Sequence, residues 1–128
     1  MPDTSTATVH ITTFGYLHGA PPPAEITLDL RHHFRDPHVS PELRYLTAHD
    51  APVRAAVLDT PGIRPLIDAT AAIRAYLAGP SAGPVTVAVG CAGGRHRAAT
   101  VGMTLADILV GQAVALTHRD LHRRVINR

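Results

Sequence analysis

One thiol, two arginines, a histidine and three glycines share the eight residues Gly90-Cys-Ala-Gly-Gly-Arg-His-Arg97. An apolar, β-branched run, Val85-Thr-Val-Ala-Val89, leads into them, and helix-compatible sequence follows. A strand that empties into a glycine-rich loop and then a helix N-terminus is an anion site, because loop N–H groups and the helix dipole converge. Glycine lets the backbone approach a ligand with no Cβ in the way. Arg97, in the first helical turn, offers a planar fork for phosphate oxygens. Cys91, Ala92, Gly93, Gly94, Arg95, His96 and Arg97 are therefore the expected contacts of a phosphate or carboxylate.

The spacing Cys91-x5-Arg97 is also that of a cysteine-dependent phosphatase loop. That chemistry needs a Cys91 thiolate as nucleophile, activated by loop amides and Arg97, with an aspartate as general acid. Asp36 and Asp50 are the aspartates of the adjoining long segment. Against catalysis, Ala98 stands where such enzymes carry a hydroxyl, and Arg95 and His96 crowd the loop. A small Cys closing a buried strand is more often packing. The expectation is binding without turnover, with a small-molecule phosphatase built on Cys91, Arg97 and Asp36 as the alternative.

Other classes find less support. No Gly-x4-Gly-Lys-Ser/Thr loop occurs. Nine histidines invite a metal, yet His32 and His33 are adjacent and point to opposite faces of a strand, and no His-x3-His or Cys-x2-Cys pair appears. No metal and no cofactor are expected. A single Cys excludes an internal disulfide and suits a reducing compartment. No apolar run reaches spanning length and no charged-then-apolar leader opens the chain, so a soluble, cytoplasmic protein is expected.

The formal charge is +2 with no lysine at all, so every fixed side-chain cation is an arginine. Charge gathers from Thr117 onward, where Arg119, Arg123, Arg124, Arg128, His118 and His122 oppose Asp120 alone. Such a tail serves nucleic acid, which makes a purely RNA-binding module a further alternative, or is simply a solvated end.

The elements that must position the loop read as follows. Residues 1–7 are polar and expected to be disordered; 8–128 form one domain. Alternation predicts strands over 8–14 and 25–31. An irregular segment runs from His32 to Asp50. Pro52 after Asp50, an N-cap type, starts a helix over 51–59, which Pro61-Gly62 ends. A second helix spans 63–78 and stops at Gly79-Pro80. Then come a strand over 84–90, the loop 91–96, and a helix from 97 to about 110 with Val101, Leu105, Ile108 and Leu109 on one face. Ala113–Thr117 is a last strand. Strands alternating with helices predict an α/β domain with a mixed or largely parallel sheet flanked by helices. Its edge strands lead one to expect a homo-oligomer.

Phe14-Gly-Tyr-Leu-His-Gly19, Leu28-Asp-Leu-Arg31, Asp36-Pro-His38, Leu43-Arg-Tyr-Leu-Thr47, Gly90–Arg97 and His118-Arg-Asp-Leu121 occur in that order. Together they resemble the C-terminal domain of the RNase adapter protein RapZ family, over nearly the whole chain. The resemblance implies an α/β fold like a phosphofructokinase subdomain. It also implies sensing of glucosamine-6-phosphate, and binding of a small RNA that full-length members present to an endoribonuclease. Carried over, the phosphosugar site would hold His38 with Ala92, Gly93 and Arg97, and His18, Arg31 and His96 as neighbours. Arg119, Arg123, Arg124 and Arg128 would meet RNA; a regulatory protein is the other possible partner. The family's N-terminal P-loop kinase-like domain has no counterpart here, which implies a standalone version. Three departures stand out: Ala92 replaces a usual Thr, Ala98 a usual Ser, and Leu17 a common Lys. Each hydrogen bond so lost costs on the order of 1 kcal/mol of affinity.

Overall fold

A computed structural model describes residues 7–79 and 84–126. The expected frayed start, 1–6, and Arg128 of the basic tail lie outside them. Ala7, grouped with that start in the sequence reading, is buried.

Four strands form one sheet in the order β2-β3-β1-β4: β1 Val9–Gly15, β2 Ile26–Asp29, β3 Val85–Cys91 and β4 Val114–His118. Every pairing is parallel, with Val9 opposite Val85 and Val114, and Ile26 opposite Val87. The sheet is thus wholly parallel, the limiting case of the mixed or largely parallel one expected. Interior position explains the composition of β3, which is apolar on both faces. β2 lies at an edge, so its Ile26 and Leu28 are only half-buried.

Val9, Ile11, Val85, Val87 and Val89 share one face and join the main core. Helix α4 (Arg97–Ile108) covers them, with α1 (Ala51–Leu58), α2 (Ile63–Ile67) and α3 (Thr70–Leu77) beside it. The opposite face is thinner: Phe14, Ala88 and Ala115 are buried there, His10, Thr12 and Thr86 half-buried, Thr27 and Thr117 exposed. Gly102 lets α4 lie directly on β1, since a Cβ there would strike the Thr13 methyl.

Two expectations change in detail. The helix predicted over 63–78 is two helices. Asp68 and Ala69 donate to Pro65 and Leu66, a tighter i→i−3 step that turns the chain. In an unbroken helix Arg74 would fall on the face of Ile63 and Ile67; the step instead buries Ile73 completely and leaves Arg74 exposed. Ile108, placed by spacing on the buried face of α4, is 39 % exposed, because it is the last helical residue. Asp50 does sit at the α1 N-cap, but its carboxylate accepts the Thr47 amide (2.9 Å) rather than a helix amide.

The C-terminal end of β1 meets the loop after β3. A Cβ on Gly15 would fall on the Gly93 carbonyl, and one on Gly94, at φ +79°, would lie 2.8 Å from the Gly15 amide. Neither position has room for a side chain. Gly94→Ala is expected to cost about 3 kcal/mol from strain and overpacking, lowering Tm by about 10 °C; an unchanged Tm in thermal unfolding would refute this contact.

Candidate anion-binding site

In a parallel sheet, ligand sites form where strands end and loops turn into helices. Here β3 ends at Cys91, residues 92–96 form the loop, and α4 begins at Arg97. The Cys91 thiol is buried. Its Sγ accepts the amides of Gly94 (3.3 Å) and Ala98 (3.4 Å) and curls the loop around itself. Among the described residues, the amides of Gly93, Arg95 and His96 make no hydrogen bond. They lie at the positive end of α4, where an anion is favoured.

Asp120 supports this end of the sheet from below. It is fully buried, and its Oδ2 accepts the Gly15 amide (2.7 Å) and Arg119 Nε (3.0 Å). Arg123 Nε lies 3.0 Å from Oδ1 without hydrogen-bond geometry. Burial pushes its pKa up, but the Arg119 and Gly15 hydrogen bonds and the Arg119 and His18 charges outweigh it and hold the carboxyl below the usual range.

Arg97 is where the structure departs most from the expectation. It is 2 % exposed, and its Nη1 donates to the carbonyls of Leu30 (2.8 Å), Arg31 (3.2 Å) and Phe34 (3.0 Å). Its Nη2 pairs with Asp36 at 3.1 Å, and Nε is buried without a partner. Arg97 therefore clamps the segment after β2. Asp36 caps the short 3-10 turn Pro37–Val39 by accepting the His38 amide (3.0 Å), which fixes buried His38 beside the loop.

Arg95 and His96 brace the other side. Arg95 donates to the carbonyls of Arg123 (2.8 Å), Tyr45 (2.7 Å) and, at 3.5 Å, Leu121. His96 Nε2 lies 2.8 Å from the Leu46 carbonyl, which fits an Nε2–H donor. Burial holds its pKa below the usual histidine range.

A pocket of about 10 Å³ results, lined by Asp36, His38, Cys91, Gly93, Arg95 and His96 among the residues expected from sequence. Leu17, Arg44, Arg124, Val125 and Ile126 complete it. Ala92, Gly94 and Arg97 support the loop without lining the pocket, and His18 does not line it either. Arg31 is exposed, paired with Asp29 at 2.7 Å and stacked 3.6 Å over the Tyr16 ring. Of the tail arginines, Arg119 and Arg123 serve Asp120, while Arg124 enters the pocket wall. Sequence reading missed the roles of Gly15, Asp120, Val125 and Ile126. A glycine closing a strand was the available signal for the first and a lone acid in a basic tail for the second; nothing marked the other two. A roomier cleft of about 320 Å³, bounded by Arg35, Leu43, Asp59 and Thr60, holds no residue of the loop. The loop has the anion chemistry, so the smaller pocket is the candidate site.

Among the described residues, no group of three or more His, Cys, Asp or Glu is arranged to hold a metal ion, and no helix is long and apolar enough to cross a membrane.

Fold and loop define a small parallel α/β domain with a glycine-rich loop at the end of a central strand. The chain belongs to the RapZ C-terminal domain family, whose model matches residues 7–122. It is 40 % identical over 120 residues to a "Nucleotide-binding protein" of Thermobifida fusca, covering 89 % of this chain and 40 % of that protein. It is 36 % identical over 123 residues to a protein of the same description from Moorella thermoacetica, covering 90 % and 40 %. A Bifidobacterium longum relative, likewise so named, is 38 % identical over 126 residues, covering 94 % and 38 %. The chain spans about two fifths of the length of these curated relatives.

Two expected outcomes follow from the site. Arg97→Ala leaves three carbonyls and Asp36 without their buried partner, so it should destabilise the domain by about 3 kcal/mol. A chemical-denaturation midpoint equal to wild type would contradict the clamp. The second concerns pH. His118 is depressed by burial and by His49 and His122, as His96 is by burial. The unfolded chain takes up these protons below about pH 6.5, before the folded one does. The stability they contribute is present above that pH and is lost as pH falls toward the depressed folded values. Tm should hold from pH 8 to 7 and decline below 6.5, with a shallower decline in His118→Gln; identical slopes would exclude His118.

Proposed function

We propose that the loop Cys91–Arg97 binds a phosphorylated small metabolite, an amino-sugar phosphate such as glucosamine-6-phosphate, without turning it over. The domain then acts as a sensor or adapter whose output is RNA or a regulatory protein. The observation that carries this reading is the set of unbonded amides of Gly93, Arg95 and His96 at the start of α4, beside His38 and Asp36. Amides and the helix end suit a phosphate, while the pocket carboxylate, Asp36, is engaged by Arg97 and the His38 amide. Ala92 and Ala98 remove two hydroxyls from the family pattern, so the affinity rests on backbone donors. The relatives' description as nucleotide-binding belongs to chains much longer than this one; for this domain it supports a phosphate-bearing ligand in general terms.

RNA as an output is supported by the surface next to the site. Exposed His49, Arg123, Arg124 and Tyr45, the last 66 % exposed, gather around Arg95, giving cations and an aromatic face. A phosphatase reading keeps one specific support: Cys91 Sγ receives two backbone amides within a Cys-x5-Arg loop, where a nucleophile would sit.

The test is thermal unfolding with glucosamine-6-phosphate, glucose-6-phosphate and inorganic phosphate. A ligand at a hundred times its Kd stabilises by about 2.7 kcal/mol. A shift with the amino-sugar phosphate, much reduced in His38→Ala, is expected, with no phosphate released. No shift with any of the three would refute the reading. Release of phosphate from para-nitrophenyl phosphate, lost in Cys91→Ser, would establish the enzyme instead.

A further inference from the structure

We propose that residues 122–126 form a strap that closes the pocket, and that Arg124 is the side chain through which this strap holds an anion bound there. The proposal rests on the anion-site reading above and adds to it the missing cation.

The loop's own arginines are already committed. Arg97 spends Nη1 on three carbonyls and Nη2 on Asp36. Arg95 spends both terminal nitrogens on carbonyls of Tyr45, Leu121 and Arg123. Arg119 and Arg123 pair with Asp120, and Arg44 gives its Nε to the His38 carbonyl (2.8 Å). Arg124 lines the same pocket, is exposed, and has no hydrogen-bond or ion-pair partner among the described residues. It is the pocket arginine whose donors are all uncommitted, whereas Arg44 keeps only its terminal nitrogens.

The dimensions point to a closing element. About 10 Å³ holds about one water, whereas small-molecule sites run to roughly 300 Å³ and more. A sugar phosphate enters only if one wall moves. The loop wall is pinned by the Gly15–Gly93 approach, the Cys91 sulfur and the Arg97 clamp. The strap is held far more lightly. Beyond buried Leu121, it has the Arg123 amide on the Asp120 carbonyl (3.2 Å), the Arg95–Arg123 carbonyl bond, the exposed Arg123 pairing with Asp120, and the His122 ring stacked on exposed His49 at 5.8 Å. Val125 and Ile126, half-buried, are the apolar part that fills the mouth. Residues 122–126 therefore lift to admit the ligand and close on it, bringing Arg124 to its phosphate.

Cys91, buried in the pocket wall, reports both parts of the proposal. Its alkylation rate by iodoacetamide is measured in the wild-type chain, Val125→Asp and Arg124→Gln, with inorganic phosphate titrated as protectant and folding checked by circular dichroism. Val125→Asp should raise the rate about tenfold by loosening the strap. Arg124→Gln should need about tenfold more phosphate for half-protection than wild type. Phosphate protecting wild type and Arg124→Gln alike would overturn the role of Arg124 and leave the anion-site reading intact. An unchanged rate in Val125→Asp would overturn the strap. No protection of any form would overturn both the anion-site reading and the role of Arg124, the Val125→Asp rate then deciding the strap alone.

Discussion

The buried guanidinium of Arg97 is the constraint around which the functional end of this domain is built. A permanent charge inside a protein is tolerable only when most of its donors are met. Arg97 meets those of its two terminal nitrogens by drawing in the carbonyls of Leu30, Arg31 and Phe34 and the carboxylate of Asp36, leaving Nε alone unbonded. A segment with no regular structure of its own is thereby wrapped over the end of β3. Asp36 in turn caps the turn that carries His38, so one arginine at the start of α4 sets the opposite wall of the pocket. The side chain that the motif most suggests as a ligand contact is its scaffold.

The remaining walls follow from close backbone approach and from a second buried charge. Gly15 and Gly94 bring β1 and the loop together at a distance only glycine permits. Asp120 receives the Gly15 amide and two arginines, tying the strand end to the start of the tail. The sulfur of Cys91 takes the Gly94 amide of the loop and the Ala98 amide of α4, and the amides of Gly93, Arg95 and His96 are left without partners. The arrangement thus separates the parts that hold shape, Arg97, Asp120, Gly15 and Gly94, from those without a partner among the described residues: the remaining amides and Arg124.

Much of this was legible in the sequence, and the illegible part has a common cause. Period-two alternation in Val9–Thr13 and the apolar run Val85–Val89 located the central strands, because a parallel interior strand must be apolar. The glycines of Gly90–Gly94 announced a loop of close approach, and its place at a strand end held. Local pattern did not reveal that residues 63–78 break, since no glycine or proline marks Asp68–Ala69; the turn is set by the burial of Ile73. Nor did it reveal the partners of Arg97, which lie more than sixty positions away. Asp120 appeared in the sequence as one negative charge in a basic tail, and only the fold shows it as the post beneath Gly15. Residue type announces an arginine's capacity to bind phosphate; tertiary structure decides whether that capacity is already used.

The central claim is that the pocket formed by the loop after β3, the Asp36–His38 turn and residues 123–126 is where a phosphorylated metabolite binds. The most direct measurement is a two-dimensional amide NMR titration of the ¹⁵N-labelled chain with glucosamine-6-phosphate. The account predicts saturable shifts at Gly93, Arg95, His96, His38 and Arg124, with the strands β2 and β4 unperturbed. Shifts gathered instead around the cleft of Arg35, Asp59 and Thr60, or none at saturating ligand, would contradict it.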